Sequence, residues 1–156
     1  MIVIHVTGEG RNVGKTLLGE RLVEALASRG LRVAAVKHVH HGVDYRVKDT
    51  GRYLAAGAVI VAAVAPGEYM VVEKREPSLD EVLASLRVDA VIVEGFAWEA
   101  RRLLAAGACH AHVKRGGLVE LEAGGREARV ALEEAHRAIL RLVDEGLCRM
   151  RPAASP

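Results

Sequence analysis

Runs of apolar and β-branched residues alternate along the chain with segments in which apolar residues recur every three or four positions. The first pattern is typical of buried strands and the second of amphipathic helices. Together they predict seven strands, at residues 2–7, 32–38, 59–65, 68–73, 89–94, 109–114 and 118–122. They also predict five helices, at residues 15–28, 45–56, 78–87, 98–106 and 126–145.

The first, second, third and fifth strands are apolar on both faces, which is expected of a sheet that is covered on both sides. Pro66 and Gly67 predict a tight turn that joins the third and fourth strands in a hairpin. Ser78 and Glu81 match a capping box at the start of the third helix. This order of elements predicts a three-layer α/β fold with a mostly parallel sheet and antiparallel additions.

Composition adds limits on domain number and partners. The chain has 156 residues, of which 51% are hydrophobic and 27% are charged, with a formal net charge of +2. We expect one domain over residues 1–149 and a disordered tail over residues 150–156. The small net charge gives no sign of nucleic-acid binding. Cys109 and Cys148 lack the spacing of a metal site, so we expect two buried, inert thiols.

No segment predicts membrane insertion or export. The longest apolar run, residues 55–66, is too short to cross a bilayer. The first strand has no basic flank and leads directly into a loop, unlike a signal peptide. We therefore expect a cytoplasmic protein.

A glycine-rich segment, residues 8–16, joins the first strand to the first helix and ends in Gly-Lys-Thr. This is the context of a P-loop, whose backbone N–H groups surround phosphate oxygens. In such a loop Lys15 reaches the β- and γ-phosphates, and the hydroxyl of Thr16 binds Mg²⁺. The segment predicts a P-loop NTPase fold and a nucleotide site formed by Gly10, Arg11, Asn12, Val13, Gly14, Lys15, Thr16 and Leu17.

The spacing of this loop is unusual. The expected first glycine falls on Glu9, whereas glycines stand at Gly8 and Gly10. A glycine one position earlier resembles the loop of dethiobiotin-synthetase-like proteins. Asn12 is the only asparagine of the chain, and we expect it to make a local contact or to adopt a left-handed backbone.

Polar residues follow the second strand, which ends in Lys37 and His38 and leads to His40 and His41. Ligands of open parallel sheets sit beyond the carboxyl ends of the strands. These side chains are therefore candidates for binding an anion, a metal or a partner, although a polar loop with a chance group of histidines gives the same pattern.

The fifth strand ends in Glu94 and Gly95. A carboxylate at this position resembles a Walker B acid, which holds a Mg²⁺-bound water or orients the attacking one. A solvent-facing acid would look the same, but Gly95 favours the close approach of a ligand or loop. Asp49 either caps a helix or reaches the outer shell of the metal.

Four blocks resemble the molybdopterin-guanine dinucleotide biosynthesis protein B (MobB) family: residues 8–16, 36–42, 49–58 and 93–96. Their order and spacing fit over roughly residues 1–96. The resemblance implies a homodimer that binds GTP and Mg²⁺, hydrolyses GTP weakly and assists a MobA-like molybdopterin guanylyltransferase. The positions of the matching residues assign catalysis to Glu94 and Asp49, and metal binding to Thr16 and Glu94. The remaining side chains are assigned to molybdopterin or the partner, because Lys15 and the loop already serve the phosphates: Lys37, His38, His40 and His41.

Two other classes stay open. The shifted glycine favours an ATP-dependent ligase or kinase related to dethiobiotin synthetase. The histidines suit a metallochaperone GTPase, although no cysteine lies near His40. The Asn-Lys-x-Asp motif that many GTPases use for guanine is impossible here, because Asn12 is the only asparagine. Other groups must read the base if guanine is bound.

Overall fold

A computed structural model of the chain describes residues 1–39 and 48–150, without the side chains of residues 48 and 49. Its strands are β1 (Ile2–Gly8), β2 (Val33–Lys37), β3 (Ile60–Ala65), β4 (Glu68–Glu73), β5 (Ala90–Glu94), β6 (Cys109–Val113), β7 (Leu118–Ala123) and β8 (Arg126–Ala131). Its helices are α1 (Lys15–Ala27), α2 (Lys48–Ala55), α3 (Leu79–Ser85), α4 (Ala100–Ala105) and α5 (Leu132–Asp144), and a short 3-10 helix spans Ala97–Glu99. The predicted tail, apart from Met150, lies outside the described residues.

Six strands form one sheet in the order β2-β5-β1-β6-β7-β8. β1 pairs in parallel with β5 and β6, and β2 pairs in parallel with β5. β7 and β8 continue the sheet in antiparallel pairing. The predicted α/β fold with a mostly parallel sheet and antiparallel additions is confirmed. The ends of β1, β2, β5 and β6 lie at one edge of this sheet, which we call the carboxyl edge.

One face of the sheet packs under α1 and α5. Leu18, Leu22 and Leu26 recur every four residues on α1 and are fully buried, as are Ile4 and Val6 of β1. Full burial of such a side chain contributes about 1.5–3 kcal/mol. Among the described residues, no helix has the length and hydrophobicity that would let it cross a membrane.

The described residues divide into two compact units. The larger unit contains residues 1–38 and the chain from residue 87 onward, including the six-stranded sheet. The smaller contains residues 39–86, with α2, α3 and a two-stranded sheet of β3 and β4. A single domain over residues 1–149 stays a prediction.

In the smaller unit, β3 and β4 form an antiparallel hairpin in which Ala65 lies opposite Glu68. The predicted turn at Pro66 is therefore confirmed. The expectation that the third strand lies in a sheet covered on both sides is wrong, because the two-residue turn folds β4 back beside it and Val64 is 83% exposed. The predicted capping box of Ser78 is present at α3.

Residues 126–131, predicted as the beginning of the last helix, form strand β8 instead. Gly124 and Gly125 have φ values of 56° and 78°, and Ala123 lies opposite Arg126. Two consecutive glycines with positive φ form the two-residue turn that joins antiparallel strands. Helix α5 begins only at Leu132, where the apolar repeat that predicted it also begins.

Cys109 and Cys148 form a disulfide, so the expectation of two free thiols is wrong, although both residues are buried. The bond joins β6 to the segment that follows α5. The carbonyl oxygen of Cys148 also accepts a hydrogen bond from the N–H of Val3 at 2.9 Å. Only the fold brings the two cysteines together, because 39 positions separate them in the sequence.

Candidate functional site

The loop between β1 and α1 lies at the carboxyl edge. A Cβ atom at Gly8 would lie 2.8 Å from Cγ2 of Val13 and 2.9 Å from the carbonyl oxygen of Val113. No side chain fits in that space. The close packing of β6 on the loop therefore explains why a glycine stands one position earlier than the usual motif requires.

Two loop residues have a left-handed backbone, Asn12 with φ 58° and Gly14 with φ 105°. The left-handed conformation expected of Asn12 is confirmed. A Cβ at Gly14 would lie 2.5 Å from Cδ2 of Leu132, the first residue of α5. The loop thus turns sharply into α1 and packs against α5 at the same point.

The ammonium group of Lys15 lies within hydrogen-bonding distance of the loop backbone. Its Nζ donates a hydrogen bond to the carbonyl oxygen of Gly10. The start of α1, with its free N–H groups and partial positive charge, favours an anion beside it. The ammonium group and the helix start therefore favour the same kind of ligand.

Three polar side chains meet beside the loop, and we call Thr16, Lys37 and Glu94 the edge cluster. The hydroxyl of Thr16 lies 3.2 Å from both carboxylate oxygens of Glu94. Nζ of Lys37 lies 3.2 Å from Oε1 of Glu94 and 3.4 Å from the Thr16 hydroxyl. The register of the sheet produces this meeting, because Lys37 pairs with Glu94 and Val6 of β1 pairs with Glu94 from the other side.

The oxygen atoms of the edge cluster fit Mg²⁺. This ion prefers octahedral oxygen ligands at about 2.0–2.1 Å, so neighbouring ligands lie roughly 3 Å apart. The distance between the Thr16 hydroxyl and Glu94 is close to that value. Residues 1–39 and 48–150 contain no group of three or more His, Cys, Asp or Glu residues able to hold a metal. Phosphate and water would therefore complete the shell, as is usual for Mg²⁺.

Glu9 of the loop contacts the turn between β6 and β7 and holds the two segments together. Its carboxylate accepts the backbone N–H of Arg115 at 2.9 Å and pairs with Nζ of Lys114 at 3.3 Å. These two contacts lower the pKa of Glu9. The guanidinium of Arg115 comes close to Gly10, with one Nη 3.7 Å from the place of a Cβ there. Sequence reasoning missed Glu9 and Arg115, although Gly116 and Gly117 signal the turn.

The face of β1 and β6 away from α1 carries a histidine cluster, which consists of His5, Thr7, His110 and His112. The Thr7 hydroxyl lies 2.8 Å from Nε2 of His110 and 2.8 Å from Nδ1 of His112. His5 stacks on His110 and its Nε2 donates to the carbonyl oxygen of Gly95 at 2.6 Å. Burial lowers the pKa of His5, and it lowers that of His110 to about 4 with help from the neighbouring histidines. His5 and His110 are therefore neutral near pH 7.

A group of three rings lies just past the edge cluster. His38 contacts Phe96 and Trp98 edge-on, with centroids 5.1 and 4.9 Å apart, and Phe96 lies 5.6 Å from Trp98. Phe96 has a left-handed backbone with φ 50°. His38, a candidate for binding an anion, a metal or a partner, therefore lies at the carboxyl edge as part of an aromatic cluster.

Two open grooves reach this part of the molecule. One, of about 530 Å³, runs along α1 and is lined by Glu20, Val36, Ile92 and the edge cluster. The other, of about 760 Å³, lies over the opposite face and is lined by His110, His112, Lys114, Glu120 and Arg129 among others. The first groove leads to the loop and is the better candidate for a nucleotide-linked ligand.

The structure brings together most of the residues predicted for the site. The loop contains Gly10, Arg11, Asn12, Val13 and Gly14, and Lys15, Thr16 and Leu17 form the start of α1. Of these residues, Arg11, Asn12, Thr16 and Leu17 are exposed. Lys37, His38 and Glu94 lie at the ends of neighbouring strands. His40 and His41 lie outside the described residues, as does the side chain of Asp49, a residue of α2.

Known proteins resemble this chain over much of its length. The family model MobB, molybdopterin guanine dinucleotide synthesis protein B, matches residues 3–113. A probable molybdopterin-guanine dinucleotide biosynthesis adapter protein of Bacillus subtilis (strain 168) is 33% identical over 101 residues, which cover 60% of this chain and 58% of the relative. The adapter protein of Escherichia coli (strain K12) is 39% identical over 108 residues, which cover 64% and 62%. The chain therefore spans less than two thirds of either relative.

Solved structures agree with the family match. The crystal structure of a MobB protein homolog from Bacillus stearothermophilus has a TM-score of 0.53 and 30% identity, and the match covers 75% of this chain and 66% of that one. The crystal structure of Bacillus subtilis MobB has a TM-score of 0.52 and 32% identity, with coverage of 62% and 61%. The family match, supported by these structures, shows that the chain belongs to the MobB family.

Proposed function

We propose that this protein binds GTP with Mg²⁺, hydrolyses it slowly and acts as an adapter in molybdopterin-guanine dinucleotide biosynthesis. Its partner would be a MobA-like guanylyltransferase that joins GMP to molybdopterin. The observation that carries the proposal is the contact between Thr16 and Glu94 at the carboxyl edge, directly beside the loop into which Lys15 donates its hydrogen bond. The names of the relatives supply the pathway.

The loop supplies the triphosphate site. A bound phosphate offers Lys15 a charged acceptor in place of the Gly10 carbonyl, and charge-assisted hydrogen bonds are the stronger kind. Loop N–H groups and the start of α1 contribute further donors. Arg115 faces the loop from the β6–β7 turn and adds a second cation.

The edge cluster supplies the metal site and a place for water. Thr16 would ligate Mg²⁺ through its hydroxyl, and Glu94 would hold a metal-bound water or orient the attacking one. Bound Mg²⁺ would neutralise part of the phosphate charge. Lys37 now pairs with Glu94, so an arriving Mg²⁺ would repel its ammonium toward the phosphates.

The pterin and partner contacts form the third part of the proposal. We assign them to Lys37, His38, His40 and His41, because the loop and Lys15 already serve the nucleotide. Asp49 would act from the outer shell of the metal. The functional molecule would be a homodimer, as the family resemblance implies.

Calorimetric titration of GTP and ATP, each with and without Mg²⁺, tests the nucleotide assignment. We expect Mg²⁺-dependent GTP binding that exceeds ATP binding at least about tenfold, a difference of about 1.4 kcal/mol. Tighter binding of ATP would instead support the ligase or kinase class. Binding of a transition metal without nucleotide would support the metallochaperone class.

The adapter role needs a separate measurement. Added protein should raise dinucleotide formation in a reaction that contains the guanylyltransferase, GTP and molybdopterin. The double substitution His40→Ala and His41→Ala should remove that gain and leave GTP affinity within a few-fold. If the double variant loses GTP affinity instead, the two histidines belong to the nucleotide site.

A further inference from the structure

The three rings at the end of β5 are held in a fixed arrangement. The planes of His38 and Trp98 are 87° apart, those of His38 and Phe96 63°, and those of Phe96 and Trp98 59°. The His38–Trp98 contact is near-perpendicular and the His38–Phe96 contact is edge-on, which are favourable geometries for aromatic pairs, and the Phe96–Trp98 pair is tilted. Each ring thus limits the rotation of the other two.

The backbone under these rings is fixed as well. Gly95 has φ 89°, and a Cβ there would lie 3.0 Å from Cβ of His38. The Gly95 carbonyl accepts from His5, and the N–H of His38 donates to the Glu94 carbonyl at 2.9 Å. The left-handed backbone of Phe96, with φ 50°, is unfavourable for a residue other than glycine and persists where surrounding contacts determine it. Such strain is typical of functional positions.

The outermost ring is nevertheless open to solvent. Trp98 is 65% exposed, although its edge contacts hold it in place. Large aromatic side chains usually stabilise a fold by being buried, but Trp98 is not buried by the described residues. An exposed, pre-oriented indole lying four positions after Glu94 is suited to stack on a flat ligand at the carboxyl edge.

We propose that Trp98, oriented by His38 and Phe96, stacks on the planar nitrogen heterocycle of a phosphate-bearing ligand at the edge cluster. Both a pterin and a guanine have this chemistry. The proposal rests on the proposed function for the phosphate end of the ligand, where Lys37 supplies a cation. Aromatic stacking tolerates different rings, because every base has a π-face.

The fluorescence of Trp98 can report whether a ligand stacks on its indole, because Trp98 is the only tryptophan of the chain. The probes are GTP, neopterin phosphate and inorganic tripolyphosphate, each added with Mg²⁺ while indole fluorescence and calorimetric heat are followed. We expect at least one of the two ring-bearing probes to quench the indole. Tripolyphosphate should bind without quenching, since it has no ring.

Substitutions identify the contribution of the indole. Trp98→Ala should lower the affinity for the probe that quenches the indole by roughly tenfold. Trp98→Phe should recover part of that affinity, because it keeps an aromatic ring. Affinity for tripolyphosphate should stay unchanged in both variants. Tyr69→Ala is the matched control, because Tyr69 is an aromatic residue on β4 that is 76% exposed, and its loss should change the affinity for none of the three probes.

The outcomes show whether the bound ring is a pterin or a guanine, and they test the stacking proposal separately from the proposed function. Quenching by neopterin phosphate alone assigns the surface to the pterin, and quenching by GTP alone assigns it to guanine. Intact binding of all probes by Trp98→Ala overturns the stacking proposal and leaves the proposed function standing. Failure of both GTP and tripolyphosphate to bind overturns the proposed function and the stacking proposal with it. Indole fluorescence that changes with protein concentration alone would place Trp98 in a protein contact and contradict the proposal.

Discussion

The edge cluster and the histidine cluster are both polar groups built on apolar strands, and they differ in charge and exposure. The edge cluster lies at strand ends, where Lys37 and Glu94 are charged and the side chain of Lys37 is 51% exposed. The histidine cluster lies within β1 and β6, where burial keeps His5 and His110 neutral. A polar residue in a strand can therefore belong either to a ligand site or to the internal hydrogen bonding of the sheet. Charged groups at a strand end can meet a ligand. The neutral histidines inside the sheet instead bond to Thr7 and to the Gly95 carbonyl, and Nδ1 of His5 has no partner among the described residues.

The largest expected effect separates ligand binding from stability. Lys15→Ala should weaken triphosphate binding by at least about a hundredfold, because it removes charge-assisted hydrogen bonds to phosphate. The unfolding temperature should stay the same, since Lys15 contacts the loop and not the core cluster. Calorimetry and thermal denaturation check the two halves. Arg29→Ala, a surface cation paired with Asp144, serves as the control that keeps full affinity.

Removal of the disulfide should give the opposite result. The double substitution Cys109→Ala and Cys148→Ala opens a loop of 39 positions and should cost about 4 kcal/mol of unfolding free energy. It loosens the strand that carries His110 and leaves the edge cluster in place. Urea denaturation measures the loss, and reduction of the wild-type protein should reproduce it. A large drop in triphosphate affinity would show that the two regions are not independent.

A third change tests the chemistry within the edge cluster. Glu94→Gln should slow phosphate release by about a hundredfold if the carboxylate activates or positions water. Nucleotide affinity should stay within a few-fold, because Gln keeps the hydrogen bond to Thr16. Steady-state hydrolysis and a binding titration are measured on the same preparation. Glu20→Gln, in the same groove, should change neither. Equal losses of rate and affinity would make Glu94 a binding residue.

The smallest effect concerns the histidine cluster and pH. The pKa of His110 is about 4 in the folded protein and near 6.5 when the chain is unfolded. Between these values the unfolded state binds more protons, so stability is complete above about pH 6.5 and falls as pH drops toward 4. The loss is on the order of 2 kcal/mol after allowance for partial exposure. His110→Gln should flatten the dependence of the urea midpoint on pH, and an unchanged slope would show that His110 is not responsible.

Local patterns in the sequence predicted the parts of the site that depend on one segment. The loop, the left-handed Asn12 and the carboxylate at the end of β5 each follow from neighbouring residues. The register that sets Lys37 opposite Glu94 is a property of strand pairing, which no single segment reveals. The same limit applies to the disulfide and to the contact between Glu9 and Arg115.

The fold errors have equally specific causes. Residues 126–131 form β8 and not helix, because Gly124-Gly125 forms a two-residue turn there and the apolar repeat of α5 begins only at Leu132. The apolar run of β3 predicts a sheet covered on both sides, but the same run fits an exposed hairpin, which is the structure it forms. The histidine cluster went unnoticed because His5 and His110 lie 105 positions apart and meet only through the pairing of β1 with β6.

The contact between Gly14 and Leu132 limits how segments can be exchanged among MobB proteins. The family match ends at residue 113, yet Leu132 lies against the loop and its N–H is bonded to the carbonyl oxygen of Gly117 at 2.8 Å. A chimera that joins this chain up to Val113 to the C-terminal segment of another MobB protein would therefore place a different side chain against the loop of this chain. The segment after the family match has to be transplanted together with the loop it supports.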